Sequence, residues 1–292
     1  MADEEFPARR INVGEVSLSV VDVGEGPAVL LLHGFPDRAS MWRHQIGALR
    51  EAGYRVIAPD LRGYGDSDRP TRVEDYALHR SVGDIVGLLK ALEVEEFQLA
   101  GHDWGATLGW VLASALGERV RKYAAVSVGH PAAISAAGFA QKQLTWYMLW
   151  FNVAGVAEAQ LPQDDWQWYR DWAYDGAQRA DDPDLDRQLT DLERPGALSS
   201  ALNWYRANIP PEVYALSTRG ADLTQIRCPV LGIWGERDMA MSERQMTDSA
   251  RYVTGRWRYE RIPRTGHFIP TQAPVTVSEL LVEFFATSTR KH

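Results

Sequence analysis

The residues whose types and spacing suggest chemistry are Asp103, Asp238 and His267. Asp103 is the centre of Gly101-His102-Asp103-Trp104-Gly105, between the apolar run Phe97 to Ala100 and a helical pattern from Thr107 to Leu116. A G-x-Nu-x-G turn between a strand and a helix presents its central side chain at the top of a sheet. The flanking glycines let the backbone pass close to its neighbours, and the helix N-terminus that follows favours negative charge nearby. A carboxylate, with an ordinary pKa of about 3.9, is ionised at neutral pH and needs no base to become nucleophilic. It is a modest nucleophile, suited to displacement at saturated carbon bearing a strained or good leaving group. The product is an ester of the enzyme, which a second step must hydrolyse. The plain alternative for Asp103 is a helix N-cap.

The second step needs a base and an acid to orient it. After a nucleophile turn of this kind the partners follow in the order acid, then histidine. Three histidines follow Asp103: His130, His267 and the terminal His292. His267 lies in Arg264-Thr265-Gly266-His267-Phe268, after the last strand pattern and before the final helical one, and is the expected base. Asp238, in Trp234-Gly235-Glu236-Arg237-Asp238, follows the apolar run Val230 to Trp234 and is the expected acid. Glu236 competes with it, or is a turn residue. No Asp or Glu occurs from Ser127 to Ala157, which closes the option of an acid after the preceding strand.

His33-Gly34-Phe35-Pro36 follows another buried strand pattern, Ala28 to Leu32. The backbone N–H groups of Phe35 and Trp104 are expected to form an oxyanion hole. The Phe35-Pro36 bond is a candidate for cis. His33 is read as a hydrogen-bonded structural residue. Asp60-Leu61-Arg62-Gly63-Tyr64-Gly65-Asp66-Ser67-Asp68 is read as a supporting loop, because no histidine cluster joins it and no metal-ligand spacing occurs elsewhere.

The elements that must position these residues alternate. Val16 to Val23, Ala28 to Leu32, Arg55 to Ala58, Phe97 to Ala100 and Tyr123 to Val128 read as strands. Met41 to Ala52, Leu78 to Leu92 and Thr107 to Leu116 read as helices between them. This predicts a mostly parallel sheet covered by helices on both faces. The alternation stops from about His130 to Thr218, a stretch holding six of the eleven tryptophans, helical apolar spacing and acidic turns such as Asp181-Asp182-Pro183-Asp184. It is read as a helical cap. Strands resume at Val230 to Trp234 and Trp257 to Ile262, and a helix from about Val275 to Phe285 closes the chain. The expected organisation is a core of residues 1–129 and 219–292 with a cap of residues 130–218.

Composition narrows the class of partner. The chain of 292 residues has 45% hydrophobic and 24% charged residues and a formal net charge of -8. No basic stripe is available to neutralise phosphates, so no nucleic-acid partner is expected. One cysteine, Cys228, excludes an internal disulfide and is expected to be a packed core thiol. The acidic start Met1-Ala2-Asp3-Glu4-Glu5 has no apolar h-region, and no apolar run approaches a bilayer span. A cytoplasmic enzyme fits all of this, and a soluble binding protein fits it equally well; no metal or cofactor is expected.

With those residues in place, the sequence resembles the epoxide hydrolases of the α/β-hydrolase superfamily along nearly its whole length. His33-Gly34-Phe35-Pro36, Asp60-Leu61-Arg62-Gly63-Tyr64-Gly65-Asp66-Ser67 and Gly101-His102-Asp103-Trp104-Gly105 all look like that family's core motifs. The resemblance implies the α/β-hydrolase fold with its inserted cap, an apolar epoxide and water as the reactants, and two cap tyrosines that hold the epoxide oxygen. Leu202-Asn203-Trp204-Tyr205-Arg206 implicates Tyr205, and the position ahead of Gly155-Val156-Ala157-Glu158-Ala159 implicates Tyr147. Oligomeric state stays open, a homodimer included.

Two other readings stand beside it. A haloalkane or haloacid dehalogenase of the same fold shares the aspartate nucleophile and holds halide with indole or amide N–H groups. Trp104 offers one, but Phe35 stands where the second donor is often found. A non-catalytic ligand-binding protein is the other, since fold alone does not carry function.

Overall fold

The computed structural model describes residues 6–174, 183–216 and 225–286. Eight strands form one sheet: β1 (Ala8–Asn12), β2 (Ser17–Val23), β3 (Ala28–Leu32), β4 (Arg55–Pro59), β5 (Phe97–His102), β6 (Val120–Val126), β7 (Val230–Gly235) and β8 (Trp257–Ile262). Their order across the sheet is β1-β2-β4-β3-β5-β6-β7-β8. The β1–β2 and β2–β4 pairs are antiparallel, and every other pair is parallel. In β5 and β7 every residue is buried, which is why they read as unbroken apolar runs rather than alternating ones.

Side chains alternate between two cores. Leu30, Leu32, Ile57 and Leu99 point to one face, with Ile85, Leu88 and Leu89 of α2 (Leu78–Ala91) and Leu108, Trp110 and Leu112 of α3 (Trp104–Leu116). Val29, Leu31, Val56 and Ala100 point to the other, with Ile46 and Leu49 of α1 (Arg43–Glu51).

Between β6 and β7 lie α4 (Pro131–Ala136), α5 (Phe139–Leu144), α6 (Tyr147–Phe151), α7 (Val156–Gln160), α8 (Gln163–Tyr174), α9 (Pro183–Glu193), α10 (Ala197–Asn208) and α11 (Pro211–Leu216). Several are too short to persist alone, so packing must hold them. Leu185, Leu189 and Leu192 of α9, and Leu202 and Trp204 of α10, join the first core. The expected cap boundary at residues 218 and 219, the acidic pair Asp181-Asp182, Met1 to Glu5 and His292 lie outside the described residues. The last helices are α12 (Glu243–Asp248), α13 (Ile269–Gln272) and α14 (Pro274–Ala286), and α14 packs Val277 and Leu281 into the second core.

The structure departs from the sequence reading in a few places. β1, Ala-Arg-Arg-Ile-Asn, was not expected. Most of it is exposed at the sheet edge, so it carries no apolar signal. The helix from Met41 begins instead as a 3-10 turn, Ala39–Trp42, before α1. α3 starts at Trp104, three residues early, because the elbow leads straight into it. Cys228 is half-buried rather than fully enclosed, though burial pushes its thiol up to about 12.

Candidate active site

Parallel pairing gathers the site at the carboxyl edge of the sheet, where α/β proteins place their ligands. Leu32 of β3 pairs with Gly101 of β5, so the chain after β3 runs beside the turn at Asp103. β7 pairs with β8 up to Gly235 and Ile262, which sets the Asp238 turn against the His267 loop. The Arg237 N–H donates to the Thr265 carbonyl at 2.9 Å and locks the two loops together.

Asp103 has φ 52° and ψ -119°, a left-handed conformation that few non-glycine residues adopt. It stands at the N-cap position of α3, but its side chain makes no capping bond to the helix's second or third N–H. The turn needs its glycines for close approach: a Cβ on Gly105 would lie 2.1 Å from the Leu32 carbonyl oxygen, and one on Gly101 2.3 Å from the Gly105 carbonyl oxygen. The Phe35 N–H donates to Asp103 Oδ1 at 2.7 Å. The Trp104 N–H also reaches this carboxylate. The Phe35-Pro36 bond is cis.

His267 bridges two carboxylates. Its Nε2 lies 3.3 Å from Asp103 Oδ2, and its Nδ1 lies 2.9 Å from Asp238 Oδ2. Asp238 is fixed in turn by the N–H groups of Ala240, at 2.9 Å, and Met241, at 2.8 Å. Burial alone would push the imidazole down, but the charges and hydrogen bonds of Asp238 and Asp103 outweigh it and hold it at about 10. Burial alone would raise the Asp103 carboxyl, but the hydrogen bond and charge of His267 hold it below its ordinary value.

Glu236 is the turn residue, not the acid: it is partly exposed and accepts the Arg264 N–H at 2.8 Å. His33 is structural, its Nε2 accepting the Leu61 N–H at 2.8 Å. The Asp60 carboxylate holds its own loop by accepting the N–H groups of Ala39 at 2.9 Å and Asp66 at 3.0 Å. Among the described residues no group of three or more His, Cys, Asp or Glu is arranged to hold a metal.

Tyr205 and Tyr147 pack against each other within reach of the Asp103 charge. Both are buried, with ring centroids 6.1 Å apart. Tyr205 also packs edge-on against Trp104, at 5.1 Å, and Phe35, at 5.5 Å. Burial, with the Asp103 charge behind it, keeps both phenols protonated well above their ordinary value. A cavity of about 330 Å³ opens onto Asp103, Trp104 and Tyr205, with Val111, Ile134 and Met148 among its apolar walls.

Sequence reasoning missed the anchors behind the histidine. The His267 carbonyl accepts from Ser127 Oγ at 2.7 Å and from His102 Nε2 at 2.9 Å. Burial and the neighbouring His267 charge push His102 down to about 4, so it is a neutral donor. His102 stood inside the elbow motif, but Ser127 carried no signal, since its partner lies 140 residues away. Tyr64 and Tyr169 were also missed. Burial raises both phenols, and the Asp103 charge adds to it, for Tyr169 after that of Asp37.

Residues 27–274 match the family model described as alpha/beta hydrolase fold. Epoxide hydrolase A of Mycobacterium tuberculosis is 33% identical, covering 94% of this chain and 96% of its own. The AB hydrolase superfamily protein YfhM of Bacillus subtilis is 31% identical over the same shares. The crystal structure of the Bacillus megaterium epoxide hydrolase in complex with an inhibitor superposes with a TM-score of 0.84, at 28% identity, over 96% of this chain and all of that one. The chain therefore belongs to the epoxide hydrolase family of the α/β-hydrolase superfamily.

Proposed function

We propose that the protein hydrolyses an apolar epoxide to a vicinal diol through an ester on Asp103. The observation that carries this is a buried, ionised Asp103 at an apolar cavity that Tyr205 also lines, with the protonated phenol of Tyr147 packed against Tyr205 and within reach of the Asp103 charge. Helices α4–α11, with residues 130–218 as the cap, bring the phenols to the core.

In the first step Oδ2 of Asp103 attacks a ring carbon and the C–O bond of the epoxide breaks. Tyr147 and Tyr205 donate hydrogen bonds to the developing alkoxide, which stays on the adjacent carbon and takes a phenol proton to become the hydroxyl of a hydroxyalkyl ester. His267, an imidazolium at neutral pH, resupplies that proton. Esterification also removes the Asp103 charge that helps keep His267 protonated. The neutral imidazole, oriented by Asp238, then deprotonates a water. That water attacks the ester carbonyl carbon, and the N–H groups of Phe35 and Trp104 hold the oxyanion on Oδ1. The intermediate collapses, the Cγ–Oδ2 bond of Asp103 breaks, and the diol leaves with Oδ2 and the remaining proton of the attacking water, which restores the Asp103 carboxylate beside an imidazolium. None of these steps calls on a metal or cofactor.

A dehalogenase is the weaker reading: Phe35 supplies no side-chain N–H for a halide, and the phenols suit an oxygen. No described helix is long and apolar enough to cross a membrane, and a cytoplasmic enzyme is our reading. The test offers a panel of aryl and alkyl epoxides and haloalkanes, with Asp103→Ala as control. Diol release lost in the control supports the proposal. Halide release without diol overturns it.

A further inference from the structure

Asp37 has no part in the steps above, yet its carboxylate is fully buried at the junction of core and insert. Oδ1 accepts from Arg187 at 2.7 Å and from the Arg38 N–H at 3.0 Å. Oδ2 accepts from Gln188 Nε2 at 2.7 Å. Arg187 and Gln188 belong to α9. Arg187 also donates to Asp184 at 2.9 Å, and Asp184 takes a two-pronged bond from Arg43, at 2.9 and 3.0 Å, at the start of α1. Arg38 itself pairs with Asp191 of α9 at 2.9 Å. One helix of the insert thus grips the segment that follows β3 through a connected set of ion pairs.

That segment carries the Phe35 amide. The Asp37 N–H donates to the Gly34 carbonyl at 2.9 Å, closing a tight turn in which Phe35 stands second and Asp37 last. Holding Asp37 therefore sets the direction of the Phe35 N–H, which points at Asp103 Oδ1 from 2.7 Å. Apolar side chains could fasten α9 to the core as firmly, because a buried ion pair adds little net stability over a well-packed apolar one. What the two-pronged and branched contacts add is fixed geometry.

We propose that Asp37, clamped by Arg187 and Gln188, is a positioning residue that aims the Phe35 amide at Oδ1 and so couples ester hydrolysis to the seating of α9. This rests on the proposed Asp103 ester chemistry. It separates the two half-reactions. Alkylation turns a carboxylate oxygen into a weaker acceptor, so the Phe35 amide gives that step no advantage. Hydrolysis develops the oxyanion on Oδ1 and needs the amide in place.

The test follows ester formation and decay by rapid quench and intact mass in wild type, Arg187→Met, Arg187→Lys and Asp37→Asn. The expected result for Arg187→Met and Asp37→Asn is alkylation within about threefold of wild type and hydrolysis slowed about tenfold to a hundredfold, with Arg187→Lys intermediate. Where a single variant fails to fold, Asp37→Asn combined with Arg187→Met leaves no unpaired charge between them and carries the test. Equal slowing of both steps would assign the clamp to holding the cap tyrosines and overturn the proposal. Unchanged rates with lowered thermal stability would make it a fastening alone, and overturn it too. Failure of wild type to form any ester would instead sink the Asp103 reading, and the clamp's role with it.

Discussion

Replacing Gly34 with alanine tests the packed geometry of Asp103 and its two amide donors while leaving every reacting group chemically unchanged. The Phe35 and Trp104 donors are backbone N–H groups, so no side-chain change removes them directly. A Cβ on Gly34 would lie 2.4 Å from Asp103 Oδ1, 2.5 Å from Asp103 Cβ and 2.6 Å from the Trp104 nitrogen. None of these is the free end of a flexible side chain. Ordinary contact starts at 3.4 Å, so the two segments must separate by about 1 Å. A misplacement of that size costs about a hundredfold in rate, and loss of one oxyanion donor costs about 10² to 10³. Gly34→Ala should therefore lower kcat/KM at least about a hundredfold, or roughly 3 kcal/mol of transition-state stabilisation. Steady-state diol formation measures this, with circular dichroism and a thermal melt to confirm the fold. A folded variant within about threefold of wild type would refute the proposed oxyanion site.

Three further outcomes follow from the same geometry. His267→Gln removes the base but leaves the nucleophile, so intact mass should show an enzyme heavier by one substrate molecule, with turnover down about 10² to 10⁴. Tyr205→Phe and Tyr147→Phe should each slow ester formation about tenfold or more while leaving ester decay near wild type, as stopped-flow Trp fluorescence would show. Stability should peak near pH 6.5 in thermal melts. Burial and neighbouring charge push His102 down to about 4, and burial does the same to His130, so stability is lost as pH falls from 6.5 toward 4. The carboxylates hold His267 up at about 10, so its stabilising contribution is complete below 6.5 and lost as pH rises through 10. A melt that keeps rising to pH 10 would contradict that charge state.

The loops of the candidate site were legible because each follows a strand whose type is written locally. Ala28 to Leu32 and Trp257 to Ile262 kept their ends, and Asp103, Asp238 and His267 each stand just beyond a strand. The cis bond before Pro36 was visible as a motif. β1 was invisible because an edge strand with polar, exposed residues lacks the period that betrays a buried one. The tyrosine pair could be named only through the family resemblance, since nothing local distinguishes Tyr205 from any aromatic of a Trp-rich helix. Asp37 stood beside a recognised motif, but its partners Arg187 and Gln188 lie about 150 residues on, and spacing alone carries no such contact.

The central claim is that Asp103 forms and loses a covalent ester. A single turnover in ¹⁸O-water, with excess enzyme over a styrene-type epoxide, tests it most directly. Digestion and mass spectrometry should find ¹⁸O in the Asp103 carboxylate of the peptide containing Gly101 to Gly105, and a first-turnover diol free of label. Labelled diol with an unlabelled Asp103 would mean that water attacks the epoxide itself, and would contradict the account.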